Sequence, residues 1–417
     1  MSPSIDRARA HRAAWASAAL FFMLGFAAAS WLSRLPAVRD ALDLRPTDLG
    51  TLLLIGSFGS LVALPSAGPL VGRFGAQKVA RAGALLWAFG IVGVAVAVQA
   101  VSRPALSACL VLVSCGMSLW GTTMNIEGGL VEAALRRVIL AKLHAMFSIG
   151  TVVGALVGAG LVALGLHVID HLIGTAVVAL ATVWVAAGFF LSTEEVASFS
   201  ALTQSGPSPE TRGRTRRAWS ERRTVLIAVM VLAAGLLEGS ANDWLALTMV
   251  DDYHLTQAHA SVVLSVFLAV MATVRLSSDR LHRRWSASHL LRGLLILACA
   301  GLVLVAFSPY AWMALVGVVL WAMGAALVFP TGASALSTEP AMTAARVSVL
   351  STINYGASLI GPPVLGLIAE HIGYAHTLAV LILPVVVGVF LTAQVDRPIH
   401  PGAPEAGDTP GAESVGD

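Results

Sequence analysis

A chain of 417 residues that is 57% hydrophobic and only 12% charged lacks the polar cover of a soluble domain, in which about a quarter of residues are Asp, Glu, Lys or Arg. Its net charge of +3 is spread over short loops between apolar blocks, which points to the lipid bilayer as partner and away from nucleic acid. Cys109, Cys115 and Cys299 all fall inside apolar blocks, where free cysteine packs as a small hydrophobe, and no disulfide framework or metal-ligand spacing is visible.

Twelve apolar blocks follow in chain order, at 14–35, 49–71, 80–99, 105–130, 143–166, 172–191, 224–249, 259–277, 289–307, 311–334, 346–370 and 375–394. Each can cross a hydrocarbon core, which takes about 20 helical residues. The predicted fold is an all-α integral membrane protein of twelve helices in two pseudo-symmetric six-helix halves, 1–195 and 223–396. Arg7, Arg9 and Arg12 precede the first block and no small-residue cleavage site follows it, so it reads as a retained helix. Between blocks six and seven lies the longest polar stretch, with Gly206-Pro207-Ser208-Pro209 and six arginines; 196–222 reads as a cytoplasmic linker. The Pro-, Gly- and Ala-rich tail 397–417 reads as disordered.

Charge sets the expected orientation. Of the 26 Lys and Arg, only Arg34, Arg39, Arg45 and Arg103 fall on the outer side with the N-terminus inside, and Arg275 lies within block eight; the other 21 are inside. Positive loops stay cytoplasmic, so a plasma (inner) membrane protein with both termini in the cytoplasm is expected.

The halves share a weak internal repeat, as transporters built from duplicated units do. Gly25 precedes Trp31-Leu32 by six residues, and Glu238 precedes Trp244-Leu245 by six. The loop after block two, Gly68-Pro69-Leu70-Val71-Gly72-Arg73-Phe74-Gly75, has a counterpart after block eight that runs from Arg275 through Asp279 to Arg284. Ser148-Ile149-Gly150 with Gly154 and Gly158 is answered by Asn354-Tyr355-Gly356 with Gly361 and Gly366; small residues at such spacing let helices approach closely.

The two loops resemble the glycine–acid–arginine–glycine motif of the major facilitator superfamily, with Gly68, Arg73, Gly75, Arg275 and Asp279 in gate or structural positions. Gly72 stands where the first copy usually has its acid. Within the superfamily the chain resembles the fucose-permease-like branch and its multidrug-exporter-like relatives. The residues concerned are Phe21-Phe22, Leu35-Pro36, Asn125, Leu143-His144-Ala145-Met146-Phe147-Ser148-Ile149-Gly150, Arg275, Phe329-Pro330-Thr331 and Gly361-Pro362-Pro363. The acids of that branch in blocks one and four correspond to Leu32 and Gly121 here, so a sugar-permease mechanism does not carry over unchanged. The resemblance implies a monomeric secondary transporter that alternates its access and is driven by protons. It favours export of a small amphipathic compound over sugar-like uptake, with Trp31, Asn125, Trp244, Asn354 and Tyr355 around the substrate. No GxxxxGK[ST] loop for ATP occurs, and no cofactor is expected. The eleven His form no ligand pair on one helix face, which argues against a membrane enzyme; a transporter-like receptor that moves nothing stays as the alternative.

An ionisable side chain in mid-membrane costs at least about 2.5–3.5 kcal/mol on insertion scales, so each one is a site candidate. Glu238 sits about 21 Å along block seven at 1.5 Å per residue, with no charged neighbour in sequence, as suits a carboxyl that picks up and releases a proton. Asp243 is one turn nearer the outside. Glu127, about 33 Å along block four, and His144 at the start of block five share a depth and are expected to pair, either as an inner gate or proton relay or as a static interfacial ion pair. Arg275 and Asp279, spaced i,i+4, are expected to pair as a latch. Trp31 and Trp244 read either as interfacial anchors or as stacking surfaces for a substrate ring. Pro330, Pro340, Pro362 and Pro363 interrupt blocks ten and eleven or their connection, where each can leave a hinge.

Overall fold

The computed structural model of the protein describes residues 7–135, 139–191, 209–337 and 339–396. Arg136, Arg137, residues 192–208 with the Gly206-Pro207-Ser208 segment, and the tail 397–417 lie outside the described residues. Twelve helical spans are long and apolar enough to cross a membrane: Arg7–Ala41, Pro46–Phe74, Ala76–Gln99, Arg103–Leu135, Lys142–Ala163, Val168–Phe189, Arg222–Asp251, Gln257–Leu276, Ala287–Phe307, Ala311–Leu336, Ala345–Ile372 and Tyr374–Asp396. They are called spans one to twelve below. Their number matches the sequence reading, but several run further. An apolar count stops at the first charges, whereas a helix stops where its backbone is capped. Span two starts with Pro46 in its first turn and Asp48 accepting from the Arg45 amide at 3.2 Å, and it ends at Gly75, whose φ is +84°.

The linker holds an element that hydrophobic periodicity could not reveal: Pro209–Ser220 is a helix. Ala218 is buried, and the helix packs on span eleven, while Arg216, Arg217 and Trp219 are exposed.

Within each half, glycines set the helix contacts. A Cβ on Gly116 of span four would collide with the Trp87 backbone of span three, and one on Gly317 of span ten would lie 2.6 Å from the Gly301 carbonyl of span nine. Trp87 meets Trp120 edge-on in the first half, and Phe267 meets Trp321 edge-on in the second. The expected small-residue seams also form. Gly150 and Gly154 lie against the Phe22 and Phe26 carbonyls of span one, and Gly366 lies against Pro46; Gly356 alone faces open space.

The halves touch through spans five and eight and through spans two and eleven. Among the described residues, the polar links of this contact lie at the end away from the termini. Ser261 Oγ donates to the Ser33 carbonyl at 3.1 Å, Gln257 donates to Asp40 at 3.0 Å, and Arg45 pairs with Glu370 at 2.9 Å. Arg39 grips both carboxylate oxygens of Asp251. Toward the termini the halves part around a central cavity.

On the terminus-bearing face the second half is tied by Arg346, only 2% exposed. It donates to Glu221 at 2.7 and 3.0 Å and to Glu339 at 3.0 Å. Arg346 hydrogen bonding, with help from Thr224, holds the Glu221 carboxyl below the usual carboxylate range. Removing Glu221 leaves a buried guanidinium short of a partner. Glu221→Ala is expected to cost about 2–3 kcal/mol, less than the 3–5 of a fully buried pair because Glu339 remains and because Glu221 is 24% exposed. A depressed carboxyl pKa gives stability that is present above the unfolded value of about 4.3 and is lost as pH falls toward the folded value. Thermal melts should therefore show a gap between wild type and Glu221→Ala at neutral pH that closes below about pH 4.3.

A central cavity with one ion pair

The chemistry of the cavity begins with a proline. Pro330 has no N–H to give the carbonyl four residues back, and span ten is interrupted between Ala325 and Val328. Arg275, at the end of span eight, donates from Nε to the freed Ala326 carbonyl at 3.0 Å. Its Nη2 donates to Glu238 Oε2 of span seven at 2.8 Å. The Glu238 and Arg275 side chains are 38% and 31% exposed, so both are reached from the cavity. Just beyond Glu238 the helix widens into a π turn over Ala241–Leu245, an insertion that often marks functional positions.

The pair lines a compartment of about 690 Å³ whose wall also carries His144, Lys142, Asp279 and Asn354. A second compartment of about 510 Å³ shares His144 and Phe147 with the first. Its other walls are neutral: Ser57, Ser60, Ser118, Thr122, Asn125 and Tyr355, with leucines and methionines between them. A small recess of about 90 Å³ above the pair adds Thr151 and Asn242. Among the described residues, the space therefore has one arm that carries the ion pair and one arm without carboxylate, lysine or arginine, joined at His144 and Phe147.

Several expected residues meet there. Glu238, Arg275, His144, Asp279 and Asn354 share the charged arm, and Asn125 and Tyr355 lie in the neutral one. Other expectations are corrected. Arg275 pairs with Glu238 and not with Asp279, because span seven brings a carboxylate to it from another helix. Glu127 does not pair with His144: it is fully buried and accepts from the Leu191 amide at 2.7 Å, beyond the end of span six. His144 instead sets its ring edge-on to Phe21. Trp244 is buried against Tyr374, so it is neither an interfacial anchor nor part of the main cavity wall, and Trp31 packs half-buried against the core. Asp243 faces span eleven in a narrow recess with Ser240, Ser358 and Pro362.

The loop motif contributes a turn. Gly75 adopts the positive φ that caps span two, Arg73 is exposed and stacks over Phe74, and Gly68 faces open space. Sequence reasoning named Phe147 only within the run that carries the family resemblance, and it missed the Ser60–Ser118 hydrogen bond at 2.9 Å and the Arg39–Asp251 link. The serine pair carries no sequence signal beyond small residues in a span. Arg39 was visible only as one of four outer-side cations.

Comparison with known proteins agrees with this architecture. An uncharacterised transporter, y4wD, of Sinorhizobium fredii is 28% identical over 358 residues, which is 85% of this chain and 91% of that protein. The nucleoside transporter NupG superposes with a TM-score of 0.73 at 13% identity, covering 93% of this chain and all of its own. The E. coli fucose:proton symporter FucP superposes with a TM-score of 0.58 at 14% identity, covering 92% and 98%. The sequence from 13 to 355 matches the Major Facilitator Superfamily model; a match over most of the chain, on twelve helices parted around a central cavity, makes this protein a member of that superfamily of transporters.

Proposed function

We propose that the chain is a proton-coupled secondary transporter of a small molecule that works by alternating access. In this reading it acts as a monomer in the inner membrane, with both termini in the cytoplasm as its loop charges favour. The conformation described is then the one open to the cytoplasm and closed outside. The observation that carries the reading is the Glu238–Arg275 pair in the cavity wall. A carboxylate that trades its ion pair for a proton changes the charge of the site without moving the backbone. That property couples proton occupancy to solute occupancy. FucP, which shares the fold, is described as a proton symporter. Asp243, in its recess against span eleven, is a second carboxylate available to such a cycle.

The experiment is a solute screen on proteoliposomes loaded with a pH-reporting dye. At least one solute that stabilises the purified protein should move protons across the membrane when it is added. A protein that is stabilised by ligands yet never moves solute or proton would be a receptor, and the proposal would fail.

A further inference from the structure

We infer that the solute carries a carboxylate that docks on Arg275, with an uncharged, hydroxyl-bearing body in the neutral arm, and that it binds together with one proton on Glu238. This rests on the coupling role proposed for Glu238 and adds the substrate class.

The two partners of the pair are not equivalent. A guanidinium keeps its charge at every working pH, whereas a carboxylate is neutralised by one proton. An anion that displaces Glu238 from Arg275 leaves a carboxylate that takes a proton from water, and the net charge of the site is unchanged. A cation that displaces Arg275 from Glu238 leaves a guanidinium with no such exit. Arg275 is also the fixed member, since its Nε is held by the Ala326 carbonyl at the break in span ten. The site is therefore an anchored cation with a removable anionic cover. A guanidinium recognises a carboxylate through paired N–H donors, and a single guanidinium balances a single negative charge.

The surroundings set the rest of the molecule. The other titratable groups in the charged arm are His144 and Lys142 from span five and Asp279 from span eight. Asp243, on the Glu238 helix, faces span eleven. Past Phe147, the neutral arm has no carboxylate, lysine or arginine in its wall among the described residues, and His144 stands at its junction with the charged arm. A second charge on the solute would be desolvated there without a partner. Hydroxyls from Ser57, Thr122 and Ser358 and the Asn125 amide suit a hydroxylated body, with leucines against its carbon skeleton. Because solute and proton bind together, an inward proton gradient would drive uptake, against the export that the sequence resemblance implies.

The test is a series of matched head groups on the full-length protein. Gluconate, gluconamide and glucamine share one hydroxylated body and carry an anionic, a neutral and a cationic head; hexanoate, hexanamide and hexylamine repeat the series on an aliphatic body. Thermal stabilisation should be largest for gluconate, and its affinity should rise about tenfold for each unit of falling pH while Glu238 is ionised in the free protein. Arg275→Gln should abolish the preference for the carboxylate. Glu238→Gln should bind gluconate with an affinity that no longer depends on pH. Stronger stabilisation by an amine or an amide, or none by any member, would overturn the assignment. If a non-anionic solute still moved protons in a Glu238-dependent way, the substrate class would be wrong and the coupling role would stand.

Discussion

Glu238→Gln is expected to leave solute exchange across the membrane intact and to abolish concentrative transport. Glutamine copies the protonated acid: it keeps length and hydrogen-bonding capacity and removes titration. Arg275 loses its ionic partner but keeps the Ala326 carbonyl, so the guanidinium stays in place and the cavity keeps its shape. Counterflow, which needs only binding and alternation, should stay within about twofold of wild type. Gradient-driven accumulation should collapse. One pH unit is worth about 1.4 kcal/mol, enough for a tenfold concentration ratio at one proton per solute, and that ratio should fall to about one in the variant. The two measurements belong in the same proteoliposomes. A purely structural Glu238 predicts the opposite pattern: a lower yield of folded protein, with accumulation intact in what survives.

The spans and their number were legible in the sequence because crossing lipid demands a long apolar run, and such runs are visible residue by residue. The individual members of the candidate site were legible for the same reason, since Glu238 and Arg275 stand out against an apolar background. Their partnership was not. The i,i+4 rule names Asp279 for Arg275, yet the carboxylate that meets it comes from span seven, and the carbonyl that anchors it exists because Pro330 lacks an N–H on span ten. Glu127 shows the converse. Depth and charge made it a partner for His144, but its side chain is buried and accepts from the Leu191 amide past the end of span six. Trp31 and Trp244 hold matching places in the repeat without matching surroundings, as the burial of Trp244 against Tyr374 shows.

Asp251→Ala is expected to shift the protein toward a state open at the end away from the termini, and a charge swap at the same two positions should reverse the shift. Arg39 of span one and Asp251 of span seven form a two-pronged ion pair between the halves, on the face opposite the cavity mouth. Their side chains are 12% and 34% exposed, so solvent screens the pair in part. A contribution of about 1–2 kcal/mol follows for a well-oriented Arg–carboxylate pair between the exposed and buried limits. That is roughly a 5- to 30-fold change in the ratio of the two states. Arg45–Glu370 and Gln257–Asp40 persist in the variant, which keeps the shift partial. Spin labels at Val101 and Tyr310, both exposed at this end and one in each half, report the separation. Asp251→Ala should add a longer-distance population, and Arg39→Asp with Asp251→Arg should restore the short one. High salt should weaken the wild-type latch in the same direction, since screening acts on the exposed part of the pair. An unchanged distance distribution in Asp251→Ala would mean that the helix contacts, Gly50 against Pro362 and Ser261 against Ser33, hold this end shut without the ion pair.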